Sequence, residues 1–459
     1  MNTPSLGSMP KSTLLGWMYC STCSCCSLFW ARDGGDGMHR MKNTKEKPSG
    51  RESSTLSDGT EVNWHWGVDA VKAVNWDAWD AFLTAAPQPS VFLDGRMMRA
   101  LLQAPDRPVA AVQWKRDGNL IGLACVEDAK AESVNLDGHV QSERSWFSGI
   151  SKLLHGKDGR FQFRVRVVGT VLGSGEHAQC WTPTISAEEA RRLLTESVFE
   201  PHRLDGIRVP RVVMIKDQPI LDDAPRQVQH KGWTPLEFDP EMLFHVDPAW
   251  NHFDDYMQGL KTKSRTKVKR IMALSADFEL RTLSGDELAE RCDELIALYQ
   301  GVYERSGFRL GSLHAEELLT SKAEWGDDFV VTIYELEGVL KGFQCAYVGR
   351  EETEAFFVGF DPELRKTHAV YQRMLVEFIC LGIERRSKRV NMGRTALEIK
   401  SSVGALPRRL MCEVRFRNPL FHAVVNRYTQ GYNPVAPKLR QPWKADAHAP
   451  SAHSELHAL

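Results

Sequence analysis

What the sequence lacks is informative first. No apolar run reaches the ~18 residues that a membrane-crossing helix needs. The nearest, Leu14–Trp30, is interrupted by Ser, Thr and four cysteines. It has Lys11 before it and no small-residue cleavage pattern after Trp30, so neither export nor a transmembrane segment is expected. An excess of one charge sign is also missing: 58 Lys and Arg oppose 59 Asp and Glu, for a net charge of −1. A global field suited to DNA or to a charged bilayer is thereby excluded, and only local clusters can bind anions. HExxH, GxSxG, the P-loop pattern and a Cys/His quartet at zinc spacing are absent too, so zinc hydrolase, serine esterase and P-loop chemistries have no support and no metal is expected.

Cysteine is scarce in the body of the chain. Of the ten, Cys20, Cys23, Cys25 and Cys26 crowd into seven residues, too tight for tetrahedral ligation without other ligands. The other six lie in apolar stretches and read as small buried hydrophobes of a reduced, cytoplasmic protein. Residues 1–58 have no periodicity and are expected to be disordered or to precede the true start, at Met38 or Met41 rather than Met1.

At 459 residues the chain exceeds one hydrophobic core and suggests two domains, and the pattern agrees. In the first half Val109–Cys125 reads as a hairpin around Asp117-Gly118, followed by a strand over Phe161–Leu172, a helix capped by Ser186 and Glu189, and a strand over Arg211–Lys216. In the second half come a helix over Asp286–Arg305, a hairpin turning near Gly338, a strand over Glu354–Phe360, a helix over Val370–Arg386 and a strand over Arg389–Met392. The shared order predicts a duplicated α/β unit, at 59–237 and 238–435, with a linker and joining helix over Asp239–Arg270 and a flexible tail over 436–459.

The chemistry concentrates late. Arg365, Lys366 and His368 lie between a strand and a helix N-terminus, where cations and free N–H groups favour a phosphate; a solvated turn is the plainer alternative. Asn391, Arg394, Glu398 and Lys400 follow the next strand. Arg394 suits a carboxylate or phosphate, and Glu398, two residues from Lys400, would share its side of an extended chain. The alternative is a structural Arg394–Glu398 salt bridge. Leu172–Ala178 has the spacing Gly-x-Gly-x-x-Ala but no helix opens from it, so a plain turn is favoured over a dinucleotide site. Lys261–Arg270 holds six cations, expected as a solvated helix face, with an RNA contact as the alternative.

These residues resemble a known family. Hairpin, strand, basic loop, helix and strand look like the GNAT acyltransferase unit. The series Asn391-Met-Gly-Arg394-Thr395 with Ile399-Lys400-Ser-Ser-Val-Gly404 is similar to the signature of FemAB-like and CelD-type acyltransferases, which carry two GNAT units in tandem. The resemblance covers about residues 60–435. It departs at Met392 and Val403, where the signature has aromatics, and in a loop without the glycine-rich pyrophosphate form. It implies an α/β (α+β) fold of two tandem GNAT-like domains, each a mixed, mostly antiparallel sheet flanked by helices. It further implies N-acyl transfer from an activated donor to the amine of a small molecule or a cell-envelope precursor. Acyl-CoA, acetyl-CoA first, is the expected co-substrate, with aminoacyl-tRNA left open. The roles implied are Glu398 as base and Tyr371 as acid; Asn391, Arg394 and Lys400 at the acceptor; and Arg365, Lys366 and His368 at the donor. A non-catalytic ligand-binding protein of the same fold is the alternative.

Overall fold

The structure, a computed structural model, describes residues 49–444 except 86–89, 106–107, 135–159, 176–178, 200–206, 208, 220–231, 238, 305–312 and 430–437. The cysteine cluster, Met38 and Met41, and the second half of the Gly173–Ala178 motif lie outside the described residues.

The strands are β1 Gly50–Thr55, β2 Glu61–Trp66, β3 Val109–Arg116, β4 Asn119–Val134, β5 Arg160–Val168, β6 Gln179–Trp181, β7 Val212–Pro219 and β8 Thr234–Glu237, then β9 Glu241–His245, β10 Glu279–Thr282, β11 Phe329–Leu336, β12 Val339–Val348, β13 Glu352–Phe360, β14 Arg389–Asn391, β15 Leu406–Arg408 and β16 Leu410–Phe416. They form two mixed sheets. One has the order β1-β2-β3-β4-β5-β7-β16-β8, with β6 beside β4; the other is β10-β11-β12-β13-β14-β9-β15. Among the described residues every pairing is antiparallel except β5 with β7 and β13 with β14, one parallel pair in each sheet.

The expected duplication is visible in detail. β3 and β4 turn at Asp117-Gly118, with φ of 50° and 77°; β11 and β12 turn at Glu337-Gly338, with φ of 53° and 74°. Left-handed backbone at both central positions is the type I′ turn, which glycine adopts without strain. Both hairpins then bulge at the same place. Trp114 faces Gly122 while Lys115 faces Leu120, and Tyr334 faces Gly342 while Glu335 faces Leu340. An identical turn and bulge in each half is the mark of one unit used twice.

Helices cover the sheets. In the helix Ala187–Val198, whose N-cap Ser186 hydroxyl accepts from Glu189 N–H, Leu193 and Leu194 pack on Val213 and Ile215 of β7. In the helix Val370–Glu384, Phe378 and Ile379 pack on Phe244 and Val390. The fold class expected from the sequence is therefore the one found.

Three stretches differ from the sequence reading. Gly50–Thr55, within the stretch expected to be disordered, is edge strand β1; it is almost wholly polar and is ordered by its ladder to β2 rather than by burial. The expected linker after Asp239 contains β9, a buried strand between β14 and β15, too short for its apolar run to stand out. The expected loose tail is docked over 438–444: Trp443 packs with Phe244, Trp250 and Tyr256 and covers Gly404. A side chain at Gly404, where φ is 114°, would come within 2.3 Å of the Trp443 ring.

One strand of the second half, β16, belongs to the first sheet. The chain passes from the first sheet to the second between β8 and β9, and returns between β15 and β16. β16 inserts between β7 and β8, and β9 inserts between β14 and β15.

Candidate active site

β13 and β14 run side by side for three residues, Glu352–Glu354 against Arg389–Asn391, and then part. β13 contains a bulge there: Ala355 to Val358 advances three residues while β12 advances two, from Ala346 to Gln344. A bulge bends its strand and raises the local twist, which carries β13 away from β14. The opening is closed by one face of the first sheet, leaving a cavity of ≈ 530 Å³. Its lining is mostly apolar, with Glu354, Lys216 and Lys400 among the polar exceptions.

The signature residues build the wall where the strands part. Gly393, Thr395 and Ala396 have φ of 66°, 67° and 49°. For a β-branched residue this is a strained state, of order 1–3 kcal/mol, that persists where its surroundings impose it. Asn391 and Lys400 do so. Asn391 Oδ1 accepts from Gly393 N–H at 2.9 Å, and Lys400 Nζ donates to the carbonyls of Gly393 and Arg394 at 3.2 and 2.5 Å. The Asn391 amide also donates to Ser174 C=O and to Glu241, both at 3.0 Å. The Arg394 guanidinium crosses to Asp217 on β7.

Glu398 does not join this wall. Leu397–Ser401 is helical, not extended, so residues two apart point to different sides. Glu398 is half-exposed, accepts from Arg440 and is not among the cavity-lining residues.

The carboxylate that does face the cavity is Glu354. It is 2% exposed, and its Oε2 has no hydrogen-bond partner. Burial holds its carboxyl well above the usual carboxylate range; Glu352 and Glu241 push the same way, while Lys216 and Asn391 oppose. Lys400, 4% exposed, is pushed the other way, down to about 7, by burial and against the attraction of Glu354. An acid raised and an amine lowered beside one another is the pattern of a paired acid and base. A neutral lysine has two N–H groups and one lone pair. Lys400 Nζ already donates to two carbonyls, so its lone pair remains for a proton.

The residues expected at the donor divide. Arg365 and Tyr371 line the cavity. Tyr371 packs on Phe360, with ring centroids 6.1 Å apart, and burial raises its hydroxyl. Phe360 lies six residues along β13 from Glu354, roughly 18 Å by strand rise. Lys366 is exposed. The His368 ring packs against Phe278 at 5.5 Å, and its Nδ1 lies 2.9 Å from Thr367 Oγ1. Neither lines the cavity. The helix after them begins at Val370 without a side-chain cap.

Asp217, fully buried, joins the two units. It accepts from Gly175 N–H at 3.0 Å, from Lys216 Nζ at 2.8 Å and from Arg394. Removing one member of a buried ionic group strands the others, so Asp217→Ala is expected to cost about 3–5 kcal/mol and to lower the thermal midpoint. Differential scanning fluorimetry checks this; an unshifted midpoint would mean that the junction carries no stability.

Glu354, Lys216, Asp217 and Glu241 were not read as functional from the sequence. The available signal was Lys216-Asp217 ending the apolar run Val212–Ile215. The Gly173 loop wedges between the units, with Leu172, Gly173 and Ser174 at the cavity and β6 as the next described element. On the basic helix Thr262–Leu274, Arg265 donates to carbonyls of Met257, Gln258 and Leu260, Lys267 donates to Ser402 at 2.9 Å, and Val268 and Ile271 face inward. Among the described residues no His, Cys, Asp and Glu group is placed to hold a metal, and no helix is long and apolar enough to cross a membrane.

No family model and no curated protein matches the chain. Solved structures do. FemX is 10% identical, with a TM-score of 0.45, over 77% of this chain and 98% of that one. A tandem GNAT protein from the clavulanic acid biosynthesis pathway is 12% identical, with a TM-score of 0.38, over 78% of this chain and 99% of that one. A GCN5-related N-acetyltransferase from Sphaerobacter thermophilus is 12% identical, with a TM-score of 0.37, over 79% and 97%.

Proposed function

We propose that this chain is an N-acyltransferase that moves an acyl group from acyl-CoA to an amine carried on a small molecule or a cell-envelope precursor. The observation that carries the reading is Glu354, a buried carboxyl with an unpartnered oxygen beside a lysine of lowered pKa, where two parallel strands part into an apolar cavity.

The donor's phosphates suit Arg365 and the uncapped start of the helix Val370–Glu384. The amine nitrogen attacks the thioester carbonyl; a C–N bond forms and the C–S bond breaks. Lys400 Nζ takes the amine proton, and Glu354 gives its proton to the departing sulfur. Proton return from Lys400 to Glu354 restores the pair. The products are an amide and free CoA thiol. Arg394, already paired with Asp217, holds the wall in place, and Lys216 sits beside Glu354.

A buried carboxyl with one unpartnered oxygen favours turnover over passive binding, since leaving a buried polar atom unpaired destabilises the fold. The basic helix favours no RNA reading, because Lys261, Arg265 and Lys267 donate to protein atoms. Incubation with acyl-CoAs and a panel of amines is expected to release CoA thiol together with amide, followed colorimetrically and by mass spectrometry. Absence of thiol release across the panel overturns the reading.

A further inference from the structure

The cavity is larger and more apolar than a short acyl group requires. Resting on the acyl-CoA reading above, we infer that the acyl group is a medium or long alkyl chain, received by the first sheet rather than by the unit that binds the donor's phosphates.

Side-chain alternation on β7 separates two faces. Val213 and Ile215 pack into the core beneath the helix Ala187–Val198, while Val212, Met214 and Lys216 face the cavity. On β16, Val414 faces the same way, joined by Val165 of β5 and Leu236 of β8. Val212 and Val414 are 3% and 2% exposed, so they back the cavity wall and present little surface to water. Lys216 ends this apolar face beside Glu354, which places its start at the reacting carbonyl.

The two parts of the donor then fall on different surfaces. The pantetheine arm carries amides, which need partners when buried. Past Glu354 the β14 side of β13 has no strand partner among the described residues, and its backbone N–H and C=O groups suit those amides. The side chains of Val165, Val212, Leu236 and Val414 bring no polar atoms and suit an alkyl chain. A cavity of ~150 Å³ already admits benzene. In the cavity of ≈ 530 Å³ the pantetheine arm takes the side along β13, and acetyl leaves the first-sheet wall uncovered.

The test is titration calorimetry on the full chain with CoA, acetyl-, octanoyl- and dodecanoyl-CoA, below their micelle concentrations. Affinity is expected to rise with chain length, by at least ~100-fold from acetyl to dodecanoyl, because each buried methylene adds to binding. Met214→Trp is expected to weaken dodecanoyl-CoA at least tenfold and acetyl-CoA far less; Val414→Phe serves if that variant does not fold. Equal affinity for acetyl- and dodecanoyl-CoA overturns the chain assignment and leaves the acyl-CoA reading standing. Chain-length dependence that ignores both substitutions overturns the placement on the first sheet. No binding of CoA or any thioester overturns the donor reading beneath it.

Discussion

Glu354→Gln is expected to lower kcat by about 10²–10⁴-fold, the usual contribution of a positioned acid or base, with donor affinity changed less than about threefold. The substitution keeps the shape and a polar head but removes the titrating proton. Burial raises the carboxyl and so favours its protonated form, from which a proton can pass to the leaving sulfur. Glu398→Ala provides the contrast. It loses a half-exposed pair with Arg440, worth ~0–1 kcal/mol, outside the cavity lining. Its kcat is expected to stay within about twofold of wild type, by the same principle. Stopped-assay rates on both variants decide the matter: comparable losses, or a silent Glu354→Gln, would remove Glu354 from the chemistry.

Lys400→Met is expected to give a similar loss of kcat, about 10²–10⁴-fold, and a distinctive change with pH. As a base Lys400 works neutral, so wild-type kcat/KM should climb through pH about 7 and the variant should lack that limb. Stability has its own sign. The folded pKa of about 7 lies below the ordinary lysine value of 10.5. Between these values the unfolded chain binds a proton that the folded chain does not, so wild-type stability rises with pH across that window. As pH falls from 10.5 towards 7 the contribution is lost, and below 7 it stays lost. The stability of Lys400→Met relative to wild type should therefore grow as pH is lowered through the window, by up to on the order of 4 kcal/mol. The carbonyls of Gly393 and Arg394 lose their donor in the variant, which offsets the absolute value but not the slope. Chemical denaturation at pH 7 and pH 10 measures it; parallel curves would mean that Lys400 does not titrate as described.

Much of the fold was legible because it is locally coded. Asp117-Gly118 and Glu337-Gly338 mark their turns through backbone that glycine adopts freely, and Ser186 with Glu189 marks a helix start through a hydrogen bond three residues long. The candidate site was legible where it is contiguous: Asn391, Arg394 and Lys400 do converge. Glu398 was misplaced because two-residue spacing was read as strand, and the short helix Leu397–Ser401 changes its direction. Glu354 escaped notice because it ends the polar run Glu351-Glu352-Thr353-Glu354, which reads as the solvated start of a strand. Around Glu354 stand Glu241 of β9, Asn391 of β14 and Lys216 of β7, all distant in sequence, and no local pattern encodes that. β16 was passed over for the same reason, since its partners β7 and β8 lie in the opposite half.

The crossing of β16 into the first sheet has a consequence for how such a molecule could arise or be divided. A chain cut between residues 237 and 238 would leave the first piece without the strand between β7 and β8, while the second would keep that strand with no sheet of its own to complete. The duplicated units are thus no longer separable modules but one interleaved body, and the cavity at their seam belongs to neither alone.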